Sequence, residues 1–420
     1  MKLKYSTVIK VLIWVHFIMW ILIIPITEFQ LMLFGKKIIT LFTLGVIELI
    51  ISFFLIIILI LRKKIYLNSV CILSINFVLV MIFFWLIGFA INVDTPLYWK
   101  FYYIFYWIMP VVLIIIGSQI KFNFRPILKA VAIMAFINAV FVLVQHFSNN
   151  LIWPFDVDDL GNTLFFISSE YYNSELAIRC PGICMSGLDS GALMIFGMLF
   201  VIGEKKLKTW KRVLLITFFI YATWYTGTRN IYLFLGFVMV GMLINYCFKE
   251  KYKLKKNLTV LYTIFSFLTV IFMQINLGSI TQNATRSIIT DFTSMNIRII
   301  SWNNALKYFS SGNIFQQLFG RSIWQSAGYP LVLDNMYLEL LIMVGIIGML
   351  CFCFFIFKLS LVAIRTKETS IIPYYSYVLG FFIYGTLNVI GSLNLTFLMI
   401  FGLYLSQLIG SEKNENQHCD

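Results

Sequence analysis

Charged side chains are scarce in this chain. Asp, Glu, Lys and Arg make up 12% of its 420 residues, about half the share of a soluble globular domain, and that shortage excludes a fold that faces water all round. Strand-like alternation of polar and apolar residues is also missing. The apolar runs are long and unbroken, which excludes a barrel and leaves helices as the only way to satisfy the backbone in lipid. The seven Cys form no CxxC pair, and most lie inside apolar runs. Cys180 and Cys184 are the exception, four apart in a loop, and read as two small loop residues, with a disulfide as the alternative. His16 and His146 fall in or beside apolar runs, and His418 lies in the tail. The basic start, Met1 to Lys10, leads into an apolar run with no small-residue cleavage site, so it reads as a first span with its N-terminus inside rather than a signal peptide.

What is present is hydrophobic length. With 60% hydrophobic residues, a mean hydropathy of +0.90 and repeated runs near the roughly 20 residues that cross a bilayer, the chain reads as an all-α polytopic membrane protein. About twelve spans are expected, at 9–28, 38–61, 66–91, 101–120, 127–146, 188–203, 213–228, 231–248, 257–275, 335–357, 371–391 and 395–410. With the N-terminus inside, 23 of the 32 Lys and Arg fall in cytoplasmic segments, in accord with the positive-inside rule, and both termini are cytoplasmic.

The kind of cation matters more than the count. Inside, 19 of the 23 are Lys, whereas from residue 101 onward the external set is Arg179, Arg229, Arg286, Arg298, Arg321 and a single Lys307. Arg presents a planar fork suited to phosphate or carboxylate, where Lys is a point charge. Arginine placed against the topological gradient points to an external anionic ligand, beyond simple headgroup anchoring.

Two external loops, 147–187 and 276–334, exceed the length of ordinary connections. The first carries Asp156, Asp158, Asp159, Glu170 and Glu175, read as a solvated face in preference to a cation site because no Gly-turn calcium pattern accompanies them. In the second, Ile299, Trp302, Leu306 and Phe309 recur at helical spacing. They predict an amphipathic helix on the membrane surface or the bundle top, with Arg298, Asn304 and Lys307 away from the stripe.

Three positions carry ionisable or strained chemistry. Thr226-Gly227-Thr228-Arg229-Asn230 is a tight turn between two apolar runs, where an Arg marks function by default and Gly permits an unusual backbone. Asp334 and Glu339 stand at the outer end of a span, Asp334 either capping the helix or acting as a general base. Glu339, a turn deeper, reads as a supporting group or one facing a polar cavity. Glu48 lies mid-span, either functional or a hydrogen-bonded helix contact, and is left outside the site.

The Thr-Gly-Thr-Arg turn resembles the Thr-Gly-Ser-Arg motif of the Wzy/O-antigen-ligase superfamily of membrane glycosyltransferases. In order along the chain, Arg179-Cys180-Pro181-Gly182, Arg298 before Trp302, Leu318-Phe319-Gly320, Asp334-Asn335-Met336-Tyr337-Leu338-Glu339 and Gly345-Ile346-Ile347-Gly348 agree with it. The resemblance covers residues 179–350. It implies a GT-C-like membrane enzyme of the bacterial cytoplasmic membrane that moves a polyprenyl-diphosphate-linked glycan onto a hydroxyl of another lipid-linked repeat unit, with inversion and no metal or cofactor. It also implies a flippase and a chain-length regulator as partners, and no nucleic acid. Arg229 and Arg298 would hold the diphosphate, and Arg179 and Arg321 the diphosphate or glycan. Thr226, Asn335 and Glu339 would bind substrate, and Asp334 would be the base. Ligases carry His where this chain has Asp334, which favours a polymerase. No nucleotide-binding loop or DXD-type pair stands out, which argues against a nucleotide-sugar donor. The alternatives are an O-antigen-ligase-like transferase and a lipid-linked-oligosaccharide flippase.

Overall fold

The apolar runs become helices. A computed structural model describes residues 5–36, 38–62, 66–91, 107–148, 180–184, 186–204, 206–247, 252–261, 293–321, 335–366, 371–385 and 392–416, with single residues at 96, 101 and 264. Among them no strand occurs. Among the described residues the bundle is built on α1 (Tyr5–Ile21), α2 (Ile23–Phe34), α3 (Leu41–Leu61), α4 (Ser69–Ile91), α5 (Met109–Gly117), α6 (Arg125–Ser148), α7 (Gly187–Gly203), α8 (Thr209–Trp224), α9 (Arg229–Cys247), α10 (Thr293–Ser310), α11 (Ile314–Phe319), α12 (Met336–Arg365), α13 (Ile372–Tyr384) and α14 (Ser392–Asn416).

Four described helices, over Thr43–Leu61, Ser69–Ile91, Arg125–Ser148 and Met336–Arg365, are long and apolar enough to cross a membrane. A fifth span results if the bent pair α1 and α2 counts as one. The segments Gly187–Gly203, Asn230–Leu243 and Thr396–Ile409 are apolar but shorter. The expected span over 9–28 is bent: the helix breaks at Leu22 and turns by 83°. Pro25 explains the break, because it has no N–H to offer the Ile21 carbonyl four residues earlier. Most of the expected 257–275 span lies outside the described residues.

The helices are apolar outward as well as inward, and the few polar side chains within them are turned inside. On α3, Leu44, Glu48, Ser52, Leu55 and Leu59 are buried while Phe53, Phe54, Ile60 and Leu61 are exposed. That i, i+4 stripe puts the only acid of the helix inside, which is the arrangement a lipid solvent produces. Glu48 meets His16 of α1, whose Nδ1–H donates to Oε2 at 2.7 Å, with both side chains buried. Of the two readings of Glu48, the hydrogen-bonded helix contact is the one observed. At the centre stands α5, nine residues buried almost all round, touched by α1, α3, α4 and α14. A helix apolar on every face belongs in such a position.

At the Lys-rich end, α6 and α7 are joined by charge. Arg125 at the start of α6 grips Glu204 after α7 with both arms, Nη2 to Oε1 at 2.8 Å and Nε to Oε2 at 3.1 Å. Arg212 donates to the Glu204 carbonyl at 2.8 Å. Burial alone would push the Glu204 carboxyl up. The Lys206 N–H, the Arg125 fork and both charges outweigh it and hold the carboxyl below its ordinary value. A depressed folded pKa stabilises above the unfolded value, about 4.3, and the gain disappears as pH falls through the folded value. Since Arg125 is half exposed, the effect is small, about 0.5–1 kcal/mol. We expect Glu204→Gln to lower the melting temperature near neutral pH and to match the wild type once pH has fallen below the folded value. A difference that persists at acid pH would assign the loss to the amide itself.

Candidate functional site

The Thr-Gly-Thr-Arg turn is built as its glycine predicts. Gly227 adopts φ +63°, and the last turn of α8 tightens, with Thr226 N–H reaching the Thr223 carbonyl at 3.2 Å. Thr226 is buried, and its hydroxyl donates to the same Thr223 carbonyl at 2.8 Å. Thr226, expected to bind substrate, therefore holds its own turn. The Thr228 carbonyl accepts the Ile231 N–H at 3.0 Å and opens α9.

This turn rests on the start of α7. A Cβ at Gly187 would lie 2.6 Å from Thr228 Oγ1 and 2.8 Å from the Thr226 carbonyl, and one at Gly191 would meet Ile231 at 2.5 Å. Ser186 caps α7, accepting the Asp189 N–H at 3.2 Å while its hydroxyl donates to Asp189 Oδ2 at 2.9 Å. A carboxylate thus stands in the first turn of α7, beside the arginine-bearing turn, where the helix dipole favours it.

The third helix start is that of α12. Asn335, fully buried, caps it by accepting the Leu338 N–H at 3.0 Å. The capping role weighed for Asp334 therefore belongs to Asn335, and its Oδ1 is committed to the backbone; Asp334 itself lies outside the described residues. Glu339 is buried, and its Oε2 has no hydrogen-bond partner among the described residues.

Helix α13 joins these starts. It runs antiparallel to α9, Gly241 lying against Ser376 and Gly380 against Val238 and Phe234. Continued, that register brings the first turn of α9 level with the end of α13. There the Gly385 carbonyl accepts the Met336 N–H at 2.8 Å. Three helix N-termini, of α7, α9 and α12, therefore point to one end of the bundle. Each carries about half a positive charge, a field suited to an anion.

The loop helices sit above. Trp302 and Ala305 of α10 are buried against Leu338 and Ile342 of α12, with Leu306 and Phe309 packed alongside. The amphipathic helix thus packs on the bundle rather than lying free on a surface. Asn304 and Lys307 are exposed, as expected. The side chain of Arg298, expected away from the stripe, lies outside the described part of the structure. Arg321 has its backbone N–H on the Ile342 carbonyl at 2.6 Å. Its guanidinium stacks 4.0 Å above the Tyr308 ring, and Nη1 donates to the Tyr308 carbonyl and to Ser311 Oγ. One face and one arm of this expected ligand group are thus spent on clamping α10 to α12.

Two glycine-bearing motifs, separate in sequence, meet beneath it. Gly320 stacks on Met343 and Gly345 on Leu318, backbone to backbone. Arg179 lies outside the described residues, but Gly182 three positions later is pinned by α6. Gln145 exchanges two hydrogen bonds with its backbone, at 2.8 and 3.0 Å, and Asn138 Oδ1 accepts the Ile183 N–H at 2.9 Å. Cys180 and Cys184 are buried free thiols, which bears out the reading as small loop residues. Burial pushes Cys180 up to about 12.

Asn138, Gln145 and Asp189 are the site residues that sequence reasoning passed over. Two amides seven apart in an apolar helix, and a Ser186-x-x-Asp189 pattern like a capping box, were the available signals. Among the described residues no group of three His, Cys, Asp or Glu is placed to hold a metal ion. No family model matches the chain, and no characterised protein matches it.

Proposed function

We propose that the chain is a membrane glycan polymerase that moves a polyprenyl-diphosphate-linked glycan onto a lipid-linked repeat unit. In this reading it crosses the bacterial cytoplasmic membrane about twelve times in a GT-C-like arrangement. The Lys-rich end and both termini are cytoplasmic, and the three converging helix starts face outward. The observation that carries the reading is that convergence. Arg229 opens one of the three helices, Asn335 caps another, and the helix bearing Arg298 packs on the latter.

The bond that breaks joins the anomeric carbon to the diphosphate, and the bond that forms joins that carbon to an acceptor hydroxyl. Charge grows on the departing diphosphate, and Arg229, Arg298 and the helix N-termini are the groups that would stabilise it. The hydroxyl proton passes to a carboxylate, for which Asp334 is the candidate. A flippase would supply the substrate and a chain-length regulator would limit the product.

A second reading, a lipid-linked-oligosaccharide transporter, draws on the buried His16–Glu48 pair and on a large cavity at the opposite end of the bundle. Lipid-linked intermediates in a deletion strain separate the readings. The polymerase reading expects a single unpolymerised repeat unit exposed on the outer leaflet. The same unit confined to the inner leaflet would favour transport, and finished polymer left unattached would favour ligation.

A further inference from the structure

A cavity of about 1230 Å³ opens at the end of the bundle remote from the converging helix starts. Helices α6, α7 and α13 each run between the two ends. Arg125 and Leu128 line the cavity on α6, Phe200 and Gly203 on α7, and Tyr374 on α13. The connector after α5 and the last turns of α14 complete the wall. Nothing in the proposed glycan transfer uses it.

Its chemistry is two-sided. Among the described residues, Lys121, Arg125 and Lys206 are its cations and Glu204 its only acid. Arg125 and Glu204 neutralise each other through the two-armed contact at 2.8 and 3.1 Å. Lys121 and Lys206 remain, both exposed, with Lys206 close enough to Glu204 to help hold its carboxyl down. Deeper polar groups are already satisfied: Asn68 donates to Ser406 Oγ at 2.8 Å, and Gln407 donates to the Ile120 carbonyl at 2.8 Å. Ser118, Gln119 and Asn123 add further polar groups, and an apolar stretch of wall is formed by Phe122, Phe124 and Tyr404 alongside Leu128 and Leu408.

We propose that this cavity binds the phosphate headgroup of a lipid from the leaflet on the Lys-rich side. The phosphate would lie between Lys121 and Lys206, with the upper acyl or prenyl chain along the aromatic wall. A small free anion suits the cavity poorly. The volume exceeds the roughly 300–1,000 Å³ of ordinary small-molecule pockets, and a bare phosphate gains nothing from apolar walls. Basic pockets between helix ends facing an anionic leaflet are the expected place for such a headgroup. The same chemistry has two sources, an anionic phospholipid and a polyprenyl diphosphate, and the experiment distinguishes them.

The test is lipid binding to the purified full chain, read by native mass spectrometry. Phosphatidylglycerol and a polyprenyl diphosphate are titrated separately, with phosphatidylcholine and inorganic phosphate as controls. At about 1 kcal/mol for each lysine near such a headgroup, the pair Lys121→Gln and Lys206→Gln weakens binding about twenty- to thirty-fold. Lys129→Gln with Lys208→Gln removes the same charge at the same end but outside the cavity, and should leave binding unchanged. Preference for phosphatidylglycerol identifies a resident phospholipid, and preference for the polyprenyl diphosphate identifies substrate lipid. Equal loss in both variant pairs, no loss in either, or displacement by inorganic phosphate at lipid-like concentration overturns the proposal.

Discussion

Glu48→Ala lowers the stability of the purified chain by about 3–5 kcal/mol, the cost of breaking a buried pair by removing one partner. The geometry leaves little room to escape it. The His16 ring is fully buried, its Nδ1–H is held only by Glu48 Oε2 at 2.7 Å, and Nε2 already lacks a partner among the described residues. Removing the carboxylate would strand both nitrogens in an apolar surround, with Trp20 5.1 Å away across the ring. Replacing both partners tells a different story. His16→Phe with Glu48→Met removes the polar atoms together and should return stability to within about 1 kcal/mol of the wild type, or exceed it. Thermal unfolding in detergent reads both outcomes. If the single variant is silent, water reaches the pair and the buried geometry is wrong. Polymer formation by the stable double variant then decides whether the pair does more than join α1 to α3.

How much of this was legible in the sequence differs from one element to the next. Hydropathy located α3, α4, α6 and α12 because a lipid-crossing helix writes its length directly into the chain. The bend after Ile21 was also written there, in Pro25, but an unbroken apolar run outweighed a single residue. The partner of Glu48 was not legible. His16 lies 32 residues away, and no periodicity within one helix says which neighbour it will face. The turn at Gly227 was readable because only glycine adopts φ +63° without strain, whereas the hydrogen bond that Thr226 makes within its own turn was not. A hydroxyl near an arginine looks like a ligand in sequence, and only the fold shows it spent on the Thr223 carbonyl. The contacts of Arg321 were hidden in the same way: an arginine in a loop signals an anion, and the sequence does not show that Tyr308 and Ser311 also hold one arm of it.

Gly345→Ala should be among the most disruptive single methyls in the described residues. Gly345 interrupts α12 at φ +70°, ψ −176°, a region almost closed to other residues and worth about 1–3 kcal/mol of strain on its own. The added Cβ would also fall 2.2 Å from the Leu318 carbonyl oxygen and 2.5 Å from the Phe319 nitrogen. These are backbone atoms, which cannot rotate away as a side chain does. The contact is reciprocal, since a Cβ at Gly320 (φ +105°) would lie 2.0 Å from the Met343 carbonyl. Together the two glycines let α11 lie directly on α12, so that Arg321 N–H reaches the Ile342 carbonyl at 2.6 Å. Strain and overlap combine to a loss of about 3 kcal/mol or more, or to release of α11 and with it the Arg321 clamp on α10. Limited proteolysis between 310 and 321 distinguishes release from global unfolding. Gly236→Ala in α9 is the control, because its Cβ meets nothing within 4 Å and alanine favours a helix interior by up to about 1 kcal/mol. Equal melting temperatures for the two variants would mean that α11 does not dock through Gly345, and the helix bearing Arg298 would lose the clamp that ties it to the converging helix starts.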